Sequence, residues 1–124
     1  MDPSPKSVVR ASLEAFNAAD ADRLAALDRE DATNHRVAFA PVTGHAAIRA
    51  TFAAEFARAT MVCVPENLFE DGDWAILEWS DPLGLRGCGV FRVEGGLTAF
   101  QRGDFDRLSF LEAQGLPPDD RFVR

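Results

Sequence analysis

Asp81 and His35 are the side chains best suited, by type and setting, to move a proton. Asp81 ends the run Trp74-Ala-Ile-Leu-Glu-Trp-Ser-Asp81, where a period of two places it on one face with Ala75, Leu77 and Trp79. A carboxylate at the end of an apolar face is desolvated, which raises its pKa toward the range useful in general acid or base catalysis. The same Asp81-Pro82 pair also opens a turn, an ordinary use of Asp before Pro. His35, in Thr33-Asn34-His35-Arg36, could act as a base near neutral pH; it could equally be a core histidine bonded to backbone, or exposed. His45, just after Gly44, reads as a solvated residue opening a helix.

Around these two, Trp79, Phe39, Phe91 and Phe105 are candidates for the apolar lining of a pocket, although each is also an ordinary core residue type. Gln101 alternates with Gly103 and Phe105 and would orient a ligand. Arg102 shares the other face with Phe100 and Asp104, and pairs outside the pocket with Glu78 or Asp104. Arg86 either meets a carboxylate ligand or lies at a sheet rim. Other chemistries lack their motifs. Glu94-Gly-Gly96 joins strands and opens no helix, so it is no phosphate loop. No Gly-x-Ser-x-Gly occurs, and two distant His and two distant Cys residues give no metal spacing.

The elements that must position these residues divide along the chain. Ser4-Pro5 caps a helix on which Val9, Leu13 and Phe16 recur at helical spacing. Asp20 caps a second, with Leu24 and Leu27 inward, and a third begins near Thr43-Gly44 with the stripe Ile48, Phe52 and Phe56. Between the second and third, Val37 to Phe39 could form a short strand. From Met61 onward the pattern is strands: Met61-Val-Cys-Val64, the Asp71-Gly72 and Glu94-Gly-Gly96 turns, and the long alternating runs between and beyond them. Leu108, Phe110 and Leu111 before Gly115 form a short C-terminal helix. Helices first and strands after predict an α+β fold, with a curved antiparallel sheet wrapped around about three N-terminal helices, in one domain over residues 1–124.

Composition narrows the partners. With 124 residues, 47% apolar and 27% charged, the chain reads as an ordinary globular domain. A net charge of −7 disfavours nucleic acid and anionic membranes, which call for basic patches. The start, Met1-Asp-Pro-Ser-Pro-Lys6, reads as no secretory leader. Cys63 and Cys88 read as free thiols of a cytoplasmic protein.

Phe16-Asn17 with Asp20, the Pro41-Val-Thr-Gly44 helix opening, and Gly89-Val-Phe91 followed by Gln101-Arg-Gly-Asp-Phe-Asp106 together resemble the SnoaL-like branch of the nuclear-transport-factor-2-like superfamily, over nearly the whole chain. The resemblance implies a cone-shaped α+β barrel, a pocket for a small and largely apolar molecule, and a homodimer through the sheet, here through a face bearing Trp74, Ile76 or Val90. It also implies cofactor-independent acid–base catalysis (isomerase, cyclase or hydrolase), or alternatively a ligand-binding or dimerisation module without catalysis. The resemblance to limonene epoxide hydrolases is more distant. Their Arg-x-Asp falls on Trp79-Ser80-Asp81, the first Asp of their second motif on Gly103, and their water-holding residues near Asn34 and Arg36. Asp81 is retained, but the bridging Arg and the base are not, so that relay is incomplete. The remaining expectation is Asp81 with His35 as catalytic pair, and Trp79, Gln101, Phe39, Phe91, Phe105 and Arg86 around the substrate.

Overall fold

A computed structural model of the chain describes residues 4–37 and 39–118. Four helices, α1 (Pro5–Asn17), α2 (Ala21–Ala25), α3 (His45–Phe56) and α4 (Arg107–Gln114), accompany six strands: β1 (Asp28–Arg36), β2 (Val42–Thr43), β3 (Val64–Asp71), β4 (Trp74–Ser80), β5 (Arg86–Glu94) and β6 (Leu97–Phe105). The strand order is β2-β1-β6-β5-β4-β3, with β2 and β3 unpaired to each other at the two ends. The sheet therefore curls without closing. α1 packs on β3, β4 and β5, and α3 on β1 and β2.

Local chemistry accounts for the ends of these elements. Ser4 accepts from the Ser7 N–H at 3.3 Å, with Pro5 in the first turn, and Asp20 accepts from the Arg23 N–H at 3.0 Å. Gly95 and Gly96 both take positive φ, 59° and 80°, the pattern of the tight hairpin turn that matches strand twist. Asp106 caps α4 through the Ser109 N–H at 3.2 Å, and Gly115 ends that helix in the left-handed region.

Three expectations are corrected. The sheet is mixed, because β1 runs parallel to β6; the intervening α3 and four strands supply the long crossover that parallel pairing needs. The strand in the first half is not Val37 to Phe39 but the charged run from Asp28, which pairs with β6 and then ends at Arg36; Ala38 lies outside the described residues. Met61 to Cys63 are not strand. β3 begins at Val64 and passes through Pro65, which an edge strand with a bulge tolerates. The leader reading of Met1 to Pro3 also falls outside the described residues. Among those described, no helix is long and apolar enough to cross a membrane.

Candidate functional site

The concave side of the sheet, α1, α3 and the Met61–Cys63 segment enclose a cavity of about 150 Å³. Its wall is mostly apolar: Val9, Leu13 and Phe16 from α1, Phe52 from α3, and Leu77, Trp79, Phe91 and Phe105 from the sheet. The α1 residues are the stripe expected from helical spacing, and the sheet residues follow from alternation on β4, β5 and β6. Gln101 also reaches the wall, where its Oε1 accepts from Asn34 Nδ2 at 3.3 Å.

Asp81 lies in the wall at the end of β4, and the turn reading holds as well. Its Oδ1 accepts from the N–H groups of Leu83 and Leu85, at 2.9 and 2.8 Å. Three other expected residues lie elsewhere. His35 is in register with Arg102. Its β1 neighbours Asn34 and Arg36 face the cavity, so alternation turns His35 to the outer side, and the sheet separates it from Asp81. Arg86 is exposed beside Glu66, Glu78 and Asp104, in a shallow outer groove. Phe39 is buried in a cluster with Leu85, Phe110 and Leu111, behind the cavity wall. Its ring supports Arg36, whose guanidinium carbon sits 5.6 Å from the ring centroids of both Phe39 and Phe52.

Two carboxyl groups appear in the wall that were not anticipated, Asp28 and Glu55. Asp28 opposes the buried Thr98, and β1 bulges between Asp28 and Thr33. The bulge resets the alternation, so a residue in a charged run faces inward. Burial pushes the Asp28 carboxyl up to about 7, with partial relief from the charge of His45 at the start of α3. Glu55 continues the inward stripe Ile48–Phe52 at position 55, where the helix turns to the same face; that spacing was the available signal. It is 2% exposed. Its Oε1 accepts from Arg36 at 2.6 Å. Burial raises its pKa, and the Arg36 hydrogen bond and charge oppose that rise.

Arg36 lies beside Gly103, at ordinary contact distance. The two residues are in register, and a Cβ on Gly103 would meet Arg36 Cγ at 3.9 Å. The cavity thus contains an arginine–carboxylate pair, built from β1 and α3 rather than from β4 and β6. Cys63, also in the wall, has its thiol pushed up to about 12 by burial and by the nearby charge of Asp81, and is inert as a nucleophile at neutral pH. Asp28 and Asp81 mark opposite ends. Asp28 is on the rung of Thr98 and Val93, and Trp79 is on that of Gly87. Six residues of β5 separate those rungs, roughly 20 Å at ~3.3 Å per residue. The two carboxyls do not act on one atom. Among the described residues, no three His, Cys, Asp or Glu side chains gather to hold a metal ion.

A curved mixed sheet wrapped around helices, with several polar groups in a mostly apolar interior, defines a nuclear-transport-factor-2-like fold. Residues 9–101 match the SnoaL-like domain family, and the chain belongs to it. A hypothetical protein with a ketosteroid isomerase-like fold from Catenulispora acidiphila DSM 44928, solved in complex with trimethylamine, is similar at 20% identity and a TM-score of 0.82, over 94% of this chain and 98% of that one. An LEH-like epoxide hydrolase from M. tuberculosis follows at 23% identity and a TM-score of 0.73, over 87% and 86%. A putative polyketide cyclase from Sinorhizobium meliloti stands at 22% and 0.70, over 78% and 93%. At these identities the likeness shows the fold alone. No curated protein matches the chain.

Proposed function

We propose that this chain binds a small, largely apolar molecule in its cavity and performs cofactor-independent acid–base chemistry on it, with Asp28 as the proton carrier. The observation that carries this reading is the placement of the buried Asp28 carboxyl in a mostly apolar wall. Because burial lifts Asp28 to about 7, both of its protonation states are populated at neutral pH, as a group that takes and returns a proton requires. Phe91 and the Asn34–Gln101 pair lie between the two ends of the cavity, where they hold and orient the substrate, and Trp79 and Phe105 close its far end. Asp81 keeps the far end of the cavity in shape through its turn hydrogen bonds. Isomerisation, cyclisation and epoxide opening all include a proton transfer of this kind, and the structural neighbours named as isomerase-like, cyclase and epoxide hydrolase support that class.

The test is turnover of two small probes, cyclohexene oxide for hydrolysis and cyclohex-3-en-1-one for isomerisation, by wild type and by Asp28→Asn. Conversion that falls about a hundredfold or more in Asp28→Asn, with probe binding retained, supports catalysis. Equal rates in both proteins overturn it. Binding without conversion favours a second reading, a ligand-binding module without catalysis, for which Gly103, where the resemblance to limonene epoxide hydrolases would put the base, is the specific observation.

We further propose a homodimer through the outer face of the sheet. Phe69, Ile76, Val90, Arg102 and His35 form one continuous rung there, with Trp74 and Phe100 beside it and Glu78 and Asp104 on the other flank. Phe69, Trp74 and Ile76 are 55%, 39% and 40% exposed. A two-fold contact turns the Arg102 of one copy toward the acidic flank of the other. The free Cys63 and Cys88 support a reducing, cytoplasmic location.

A further inference from the structure

Glu55 Oε2 is buried and has no hydrogen-bond partner among the described residues, whereas Oε1 is taken by Arg36. Buried polar atoms in folded chains are nearly always satisfied, and an orphan marks a place that something else fills. Arg36 cannot turn to fill it while its guanidinium is held at Oε1 and against the rings of Phe39 and Phe52. Asn34 Nδ2 donates to Gln101 and Gln114 Nε2 to the Thr60 carbonyl, so neither amide is turned to Oε2. The Arg36 guanidinium at 2.6 Å favours the ionised form against the burial that raises the Glu55 pKa, and an ionised carboxyl only accepts. A ketone or ether oxygen placed there would set lone pairs against lone pairs.

Resting on the reading of the cavity as a small-molecule pocket, we propose that Glu55 selects the ligand: the molecule that binds carries a hydrogen-bond donor, a hydroxyl or a protonated amine, which Glu55 Oε2 accepts. The skeleton bearing that donor is a compact hydrocarbon, since a cavity of about 150 Å³ is on the scale that admits a single six-membered ring.

Calorimetric titration of the full chain with cyclohexanol, cyclohexylamine and cyclohexanone, which share one ring, tests this. Wild type is expected to bind the alcohol or the amine about tenfold or more tighter than the ketone, the discrimination expected for a hydrogen bond to a charged acceptor. Alcohol above amine identifies a neutral hydroxyl ligand, and amine above alcohol an ammonium. In Glu55→Gln the remaining oxygen still accepts from Arg36 and an NH₂ replaces Oε2, so the order of alcohol and ketone should reverse. A ketone that binds wild type as tightly as the alcohol overturns the inference, as does an unchanged order in a folded Glu55→Gln. The wild-type series decides the matter even where the variant does not fold. Absence of binding by all three compounds overturns the pocket reading itself, and this inference with it, and is distinct from binding without discrimination.

Discussion

The indole of Trp79 fills the space where a side chain on Gly87 would stand. The two residues are paired across β4 and β5, and a Cβ on Gly87 would overlap the indole carbons Cζ2 and Cε2 and come within 2.8 Å of the Asp104 carbonyl oxygen. The absence of a side chain at 87 thus sets the position of one cavity wall. Gly87→Ala is expected to push the indole out of place at a cost of roughly 1–3 kcal/mol, the usual range for overpacking. The indole's new position changes the cavity, so small-ligand affinity should fall together with stability. Urea unfolding and ligand titration of the same variant check both. An unchanged midpoint and affinity would show that Trp79 relaxes freely.

Asp28 ties stability to pH. The folded state keeps its proton up to about 7, whereas the unfolded carboxyl loses it near 3.8. The favourable contribution of the protonated, buried group is fully present below 3.8 and is lost as pH rises through about 7. Asp28→Asn mimics the protonated form and does not titrate. Relative to that variant, wild type should lose stability between about pH 4 and pH 7, by at most ~4 kcal/mol at ~1.4 kcal/mol per pH unit and by less in proportion to the water that reaches the carboxyl. Denaturant unfolding of the two proteins across this range measures the difference. Parallel curves would mean that Asp28 titrates normally in the fold.

What could be read from the sequence was what is local. Caps at Ser4 and Asp20, the turn at Gly95-Gly96, the α1 stripe and the alternation of Leu77 with Trp79 each depend on a few adjacent residues, and each is found. The cavity's polar groups depend on distant partners. Alternation alone does not say whether Asn34 and Arg36 or His35 face inward; pairing with Gln101 and Gly103 on β6 decides it. Asp28 was hidden in the charged run Asp28-Arg-Glu-Asp31, because only the β1 bulge turns it in. Glu55 was legible in principle, three residues beyond Phe52 on the same helix face, but Phe56 completes a purely apolar stripe at the same spacing and drew the reading. The type of Phe39 suits a pocket wall, while its place in the chain, just past β1, puts it behind Arg36 instead.

The outer face gives a test independent of the cavity. Ile76 lies at the centre of the exposed rung between Phe69 and Val90, and its side chain faces away from the buried Ala75 and Leu77. Ile76→Glu should leave the folded monomer intact, since exposed substitutions away from packing usually change stability by about 0.5 kcal/mol or less. It places a charge at the middle of the proposed two-fold contact. Light scattering across micromolar concentrations is expected to give dimer mass for wild type and monomer mass for Ile76→Glu. Monomer mass for wild type would remove the dimer.

Arg36 and Glu55 should be coupled far more strongly than their separate losses suggest. Their contact is 2.6 Å, with side-chain exposures of 15% and 3%. Arg36→Leu leaves the Glu55 carboxylate buried without a counter-charge, a situation that costs about 3–5 kcal/mol. Replacing both, as Arg36→Leu with Glu55→Leu, removes the stranded charge together with its partner, and apolar replacements of a buried pair are often neutral in stability. The double variant is therefore expected to be more stable than Arg36→Leu alone, although it lacks one more native contact. Thermal unfolding of wild type, both single variants and the double variant closes the cycle. Additive losses would show that the pair is solvated in solution and that Glu55 is not the buried acceptor argued above. A double variant that recovers stability yet no longer separates cyclohexanol from cyclohexanone would assign the pair to ligand selection rather than to folding.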